Sequence, residues 1–306
     1  MIKKIFQANK KVIFIFIVWW VVINAFAYLS LNLFRSYTHD PAKDRYNNRI
    51  EKAYGERIEL DSFLGMHVRR HAWRDLSIAK NGYDNIVGSK DTTLSHFPLY
   101  PFMIRYFGNI FAIDYIVIGL LITNISIFLS VLIFFKLAQY DLEKKAAEKA
   151  VLYLLIFPAA FYFTLIYSES LFLLLSLLVF YFALRKNWLL VGIFGFLVSL
   201  TRITGILLFL PLLVEYFHQE KRIKPSVGFL ALIPTGLASF FTFYYFQTGD
   251  FFTYLKAQQD WNRSFFDFSH LLDHFASLIP SKVAMTYIEL IVTVVALIAC
   301  ILAFRR

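Results

Sequence analysis

The chain has 306 residues, of which 58% are apolar and 17% charged, with 35 Phe and 18 Tyr. Soluble domains hold roughly 45–50% apolar and about 25% charged residues, so an ordinary water-soluble domain is excluded, and so is a disordered chain, which stays unfolded for want of apolar residues. The net charge of +10 reads as loop lysines and arginines of a membrane protein rather than a nucleic-acid surface, and the single cysteine, Cys300, rules out a disulfide framework. Uncharged apolar runs of about twenty residues can cross a hydrocarbon core of roughly 30 Å as helices, which makes the chain an all-α polytopic membrane protein. They predict eight spans: 12–34, 113–135, 151–167, 171–184, 188–200, 203–214, 227–246 and 284–304. The first is too long for a signal peptide and reads as a retained anchor.

Basic clusters alternate with these spans. Lys3, Lys4, Lys10 and Lys11 precede the first; Lys136, Lys144, Lys145 and Lys149 follow the second; Arg185 with Lys186, then Lys221, Arg222 and Lys224, and finally Arg305 with Arg306 come later. With eight spans all five clusters share one side, the cytoplasm by the positive-inside rule. The opposite side receives a long loop, 35–108, the short turns 167–170 and 201–202, and a second loop, 247–282. The expected organisation is one multi-pass domain over 1–306, in the plasma membrane of a prokaryote or the endoplasmic reticulum of a eukaryote, with its unusual polar residues on the non-cytoplasmic face.

In the first outer loop, 37–60 is a mixed-charge stretch that reads as solvated surface. From 62 to 80 the pattern predicts an interfacial helix capped by Ser62 and ended by Asn81-Gly82. Leu64, Val68, Ala72 and Leu76 form one stripe; His67, His71 and Asp75 form another, beside Arg70 and Arg74. The second stripe could ligate a divalent metal, although three ligands without a fourth are a weak set and a hydrated polar face explains them as well. Asp75 or His71 is also suited to take a proton from an acceptor hydroxyl. Pro98 and Pro101, three apart, predict a rigid bend that breaks helix and sets His96 and Tyr100 for hydrogen bonding.

Pro158 predicts a kink inside the third span. Glu169 and Arg202 each stand between two apolar helices on the outer side. Ionisable groups there are functional candidates, and Arg202 suits a lipid-linked phosphate; the plain alternative is an ion pair between the two. In the second outer loop Gln258, Trp261 and Arg263 offer stacking and hydrogen bonds to a sugar or phosphate. No Walker loop, Gly-rich dinucleotide fingerprint or G-x-S-x-G elbow is present. A transferase on this side therefore needs a donor held in the membrane.

Five blocks carry a resemblance: LSIAKNGY (76–83), HFPLYPFMIR (96–105), FPAAFYFTLIYSESLFLLLSL (157–177), LTRITGIL (200–207) and AQQDWNR (257–263). Their order resembles the PIG-V-like mannosyltransferases, the family of the enzyme adding the second mannose of glycosylphosphatidylinositol anchors together with bacterial relatives. The resemblance implies a GT-C-like bundle and an inverting membrane glycosyltransferase. Its donor would be a polyprenyl- or dolichyl-phosphate sugar, its acceptor a lipid or glycan, with no cofactor. Relatives place an Asp about seven residues before the Ile-Ala pair. Counting back from Ile78 that position holds His71, and the nearest acid is Asp75. On this reading Asp75 or His71 is the catalytic base; Arg202, Arg263 and Arg74 hold the donor phosphate; His96, Tyr100, Glu169, Gln258 and Trp261 orient the substrates. A lipid-linked-sugar flippase and an inactive membrane scaffold are the rival readings. The flippase would want charged or broken helices at the midplane, whereas the polar residues cluster at span ends.

Overall fold

The computed structural model describes residues 9–33, 48, 50, 51, 54, 55, 58–69, 71–84 and 92–259. The chain forms two compact units, Met1–Ala257 and Gln258–Arg306; of the second, Gln258 and Gln259 are described. Among the described residues the structure is helical, with no strand. In chain order the α-helices are α1 (Lys10–Leu33), α2 (Ala72–Asn81), α3 (Leu99–Phe111), α4 (Tyr115–Ala138), α5 (Lys144–Ile156), α6 (Glu169–Ala183), α7 (Trp188–Ser199), α8 (Phe209–Glu220), α9 (Leu232–Thr248) and α10 (Thr253–Gln259). Tight 3₁₀ turns at Gly65–His67, Ala160–Thr164, Ile203–Leu208 and Pro225–Ala231 connect several of them.

Three helical stretches are long and apolar enough to cross a membrane: α1, α4, and α9 together with the turn before it, Pro225–Thr248. Helices also cover the predicted spans at 171–184, 188–200 and 203–214, but α6 has 15 residues, α7 has 12 and α8 has 12. At 1.5 Å per residue these reach about 18–22 Å, short of the roughly 30 Å core. The predicted span at 284–304 lies outside the described residues.

The outward faces of α1 and α9 are apolar. Phe14, Val22, Phe26 and Leu33 of α1 are more than half exposed, as is Phe246 of α9. Faces of this kind need a non-aqueous covering, which a bilayer supplies. Helix α4 is the central strut. Half of its apolar window is buried, against 28% for α1, and it packs along α6, with α1, α3 and α5 around it.

Proline chemistry sets two boundaries. Phe157, before Pro158, takes an extended conformation (φ −56°, ψ 136°), as the proline ring requires of its predecessor. Helix α5 therefore stops at Ile156, where the sequence predicts a kink within a span continuing to 167. The pair Pro98 and Pro101 behaves otherwise than expected. Pro98 stands at the N-cap of α3 and Pro101 in its first turn, where backbone N–H groups have no helical partner to lose. The prolines start a helix where a break was predicted.

Helix α7 lies very close both to α9 and to the 3₁₀ turn before it. A Cβ on Gly192 would fall 2.3 Å from the Phe229 carbonyl oxygen, and one on Gly236 would fall 2.5 Å from that of Phe196. Gly192→Val is accordingly expected to cost about 1–3 kcal/mol by overpacking and to lower the melting temperature of the purified protein in detergent. Gly228→Ala, where nothing lies within 4 Å, should leave it unchanged.

Candidate active site

The helix predicted over 62–80 is broken in two. Ser62 accepts from the Gly65 N–H (3.0 Å), but the helical segment that follows is only the 3₁₀ turn Gly65–His67, whose N-cap is Leu64. A continuous helix would use the His67 carbonyl to bind the His71 N–H. Instead the His67 carbonyl accepts from the Ile166 N–H (3.2 Å), and the His71 N–H donates to the Tyr167 hydroxyl (3.3 Å), which donates to the Arg69 carbonyl (2.8 Å). The residues just before α6 thus take over the missing turn. Helix α2 restarts at Ala72 and ends at Asn81, with Gly82 at φ 84°, the predicted stop.

Restarting the helix removes the common face of His67, His71 and Asp75. His67 is buried, its Nδ1 2.8 Å from the Phe63 carbonyl and its Nε2 2.7 Å from Asn24 Oδ1 of α1. Burial lowers its pKa more than the backbone contacts at Phe63 and Leu64 raise it. Among the described residues no group of three His, Cys, Asp or Glu side chains could hold a metal ion. Nor is α2 an interfacial helix with a hydrated polar face, because Ala72 to Ala79 are all buried, Arg74 and Asp75 included.

Asp75 Oδ1 lies 3.0 Å from His96 Nδ1, with the carboxylate 8% and the imidazole 19% exposed. The His96 Nδ1–H donates to the carboxylate, so the lone pair of a neutral ring sits on Nε2. His71 is held differently. Arg74 Nη1 lies 2.6 Å from His71 Nδ1. A guanidinium only donates, so Nδ1 accepts and the ring proton stays on Nε2, leaving no lone pair for base chemistry. The His71 and His96 rings stand 6.1 Å apart between centroids.

Arg74 does not reach outward. It is 2% exposed, gives Nε to the Thr92 carbonyl (3.1 Å) and lies 4.5 Å over the Trp73 ring. It braces His71 where donor phosphate contact was expected of it. Tyr100 also departs from its predicted role. It is buried, donates to the Gly119 carbonyl (3.0 Å) and meets Thr123 (2.8 Å), fixing α3 to α4. Burial, and after it the charges of Asp75 and Glu169, push its phenol well above the ordinary range against the opposing Thr123 bond. Both carboxylates are therefore within electrostatic reach of one side chain.

Glu169 and Arg202 form the ion pair that the sequence offered as the plain alternative, at 2.6 Å, with side chains 31% and 41% exposed. Backbone hydrogen bonds tie this pair to the Asp75–His96 pair. The Leu99 N–H donates to the Leu200 carbonyl (3.1 Å), and the Ile166 and Tyr167 contacts join the start of α6 to the start of α2. Segments 67–75, 96–100, 166–169 and 200–202 thus meet at one end of the helices. Gln258 is half-buried at the end of α10 and belongs to the second compact unit. Trp261 and Arg263 lie outside the described residues.

Two positioning residues escape sequence reading. The Tyr83 hydroxyl donates to the His96 carbonyl (2.8 Å), and the Tyr244 hydroxyl to the Leu94 carbonyl (2.6 Å). They clamp the loop bearing His96 against α9, within an aromatic cluster that includes Phe97, Phe240 and Tyr254. Burial keeps the Tyr83 phenol protonated far above its usual range, so it remains a donor. Sequence gives such tyrosines no signal beyond that of ordinary interface anchors.

Comparison with protein-family models, with curated proteins and with solved structures returns no match. The site therefore stands on its own geometry. Because the Glu169–Arg202 pair is partly solvated, each single substitution to Gln and the double one are expected to change stability by about 1 kcal/mol or less, read as melting temperature in detergent. Tyr83→Phe, which removes a part-buried hydrogen bond to the His96 carbonyl, is expected to cost about 1 kcal/mol.

Proposed function

We propose that the chain is a multi-pass membrane glycosyltransferase, moving a sugar, mannose by the family resemblance, from a polyprenyl-phosphate donor to a lipid or glycan acceptor on the non-cytoplasmic face. The observation that carries this reading is the meeting, at one end of the helices, of a carboxylate–imidazole pair and a partly exposed arginine. The apolar outer faces and the five sequence blocks support it further.

In this mechanism Asp75 and His96 act as one base. Asp75 holds the His96 Nδ1–H, and Nε2 takes the proton of the acceptor hydroxyl as its oxygen attacks the anomeric carbon. The bond from that carbon to the phosphate oxygen breaks on the opposite side, with inversion, and polyprenyl phosphate leaves. Charge accumulates on the departing phosphate. Arg202, steered by Glu169, stabilises it more in the transition state than in the ground state.

The test is transfer of radiolabelled mannose from polyprenyl-phosphate mannose to a lipid acceptor by purified protein in liposomes. Asp75→Ala and His96→Ala are each expected to lower kcat by about a hundred- to ten-thousand-fold, and the double variant by little more. Arg202→Ala should lose about a hundredfold or more, and Arg202→Lys should recover little, since it lacks the bidentate fork. Full activity in both Asp75→Ala and His96→Ala would defeat the base assignment. Movement of intact donor between leaflets without product would make the protein a flippase.

A further inference from the structure

At the far end of the bundle from Asp75, a cavity of about 420 Å³ opens between the start of α1, the end of α4 and the start of α5, lined by Lys10, Lys11, Lys144, Glu148, Phe14 and Phe135 among others. Lys11 is partnered by the buried Glu148 at 2.5 Å. Lys10 and Lys144 add two further positive charges, with no second carboxylate among the described lining residues. We propose that this cavity binds the phosphate of an anionic phospholipid.

Three observations favour that occupant over other ligands. The cavity is cationic, and phosphate is the anion a membrane surface presents in quantity. Next, its wall includes the apolar Val12, Phe14 and Phe135, which a free hydrated anion does not need. Third, the wall continues along lipid-facing surface. Phe14 in the lining is 64% exposed, and Ile17, Val18 and Val21, which follow on the same face of α1, are 51%, 43% and 52% exposed. With phosphate among the lysines, acyl chains would lie down that strip. Soluble phosphate would satisfy the lysines alone. The inference is independent of the transferase reading, because no residue of the Asp75–His96 or Glu169–Arg202 pairs takes part.

Native mass spectrometry of the detergent-purified full chain tests it. Phosphatidylglycerol should bind in preference to phosphatidylcholine, and Lys10→Gln/Lys144→Gln should weaken the tightest phosphatidylglycerol adduct by at least about tenfold. Lys145→Gln/Lys149→Gln removes the same charge from α5 outside the cavity and should leave that adduct in place. Melting temperatures of both variants check that each is folded. Equal binding of the two lipids, an unaltered adduct in the Lys10/Lys144 variant, or an equal loss in the control variant would overturn the proposal. Complete displacement by inorganic phosphate would overturn it too, by showing a site for a soluble anion.

Discussion

The arrangement at the site rests on how the backbone hydrogen bonds of residues 67–71 are satisfied. A buried peptide group must find a partner. Here the partners come from the residues before α6 rather than from the next turn of the same helix: Ile166 donates to His67, and Tyr167 stands between Arg69 and His71. That exchange stops one helix and starts another. It also fixes the rotation of α2, and with it the direction in which Asp75 points. An uninterrupted helix would keep His67, His71 and Asp75 in one row. The broken one sends His67 to Asn24 of α1, His71 to Arg74, and Asp75 to His96.

Burial makes these pairings strict. An isolated ion taken out of water costs several kcal/mol, so Arg74, at 2% exposure, and Asp75, at 6%, hold their places only with partners in hydrogen-bonding geometry. Arg74 has the Thr92 carbonyl and His71; Asp75 has His96. The loop bearing His96 is immobilised in turn by Tyr83 and Tyr244. Precision at one carboxylate therefore depends on α9, remote in sequence. The Glu169–Arg202 pair differs in kind. Partly solvated, it is worth little to stability and can exchange partners with an incoming anion.

What the sequence disclosed follows from the range over which each feature is determined. Apolar runs announce long helices, and α1, α4 and Pro225–Thr248 were legible at once. Pro158 was legible as a disturbance, because a proline constrains its immediate neighbour, though it ends the helix rather than kinking it. The Glu169–Arg202 pairing was legible from two charges at adjoining span ends. The break at 68–71 was not, because its cause lies about a hundred residues away in Ile166 and Tyr167, while the local periodicity favours continuing the helix. Pro98 and Pro101 were misread for a positional reason. The same residue breaks a helix interior and suits a helix start, and only the location of α3 decides which. The Asp75–His96 pair bridges a loop whose return path no periodicity encodes.

The short helices give the site its depth. Helix α4, with 24 residues, spans about 36 Å, whereas α6 and α7 reach only about 22 and 18 Å. The chain enters α6 from the 3₁₀ turn Ala160–Thr164 and leaves α7 into the turn Ile203–Leu208. A Cβ on Gly119, about one turn into α4, would fall 2.8 Å from Ile166, just before α6, so α6 begins about a turn inside the start of α4. Glu169 and Arg202, where the chain enters α6 and leaves α7, would then sit near the level of lipid phosphates rather than out in bulk water. For the proposed transferase that depth solves a delivery problem. A polyprenyl tail must remain in hydrocarbon while its phosphate meets a cation and its sugar meets a base. An arginine recessed at the interface, tethered by one peptide hydrogen bond to the loop that carries His96, meets both demands without the donor leaving the bilayer.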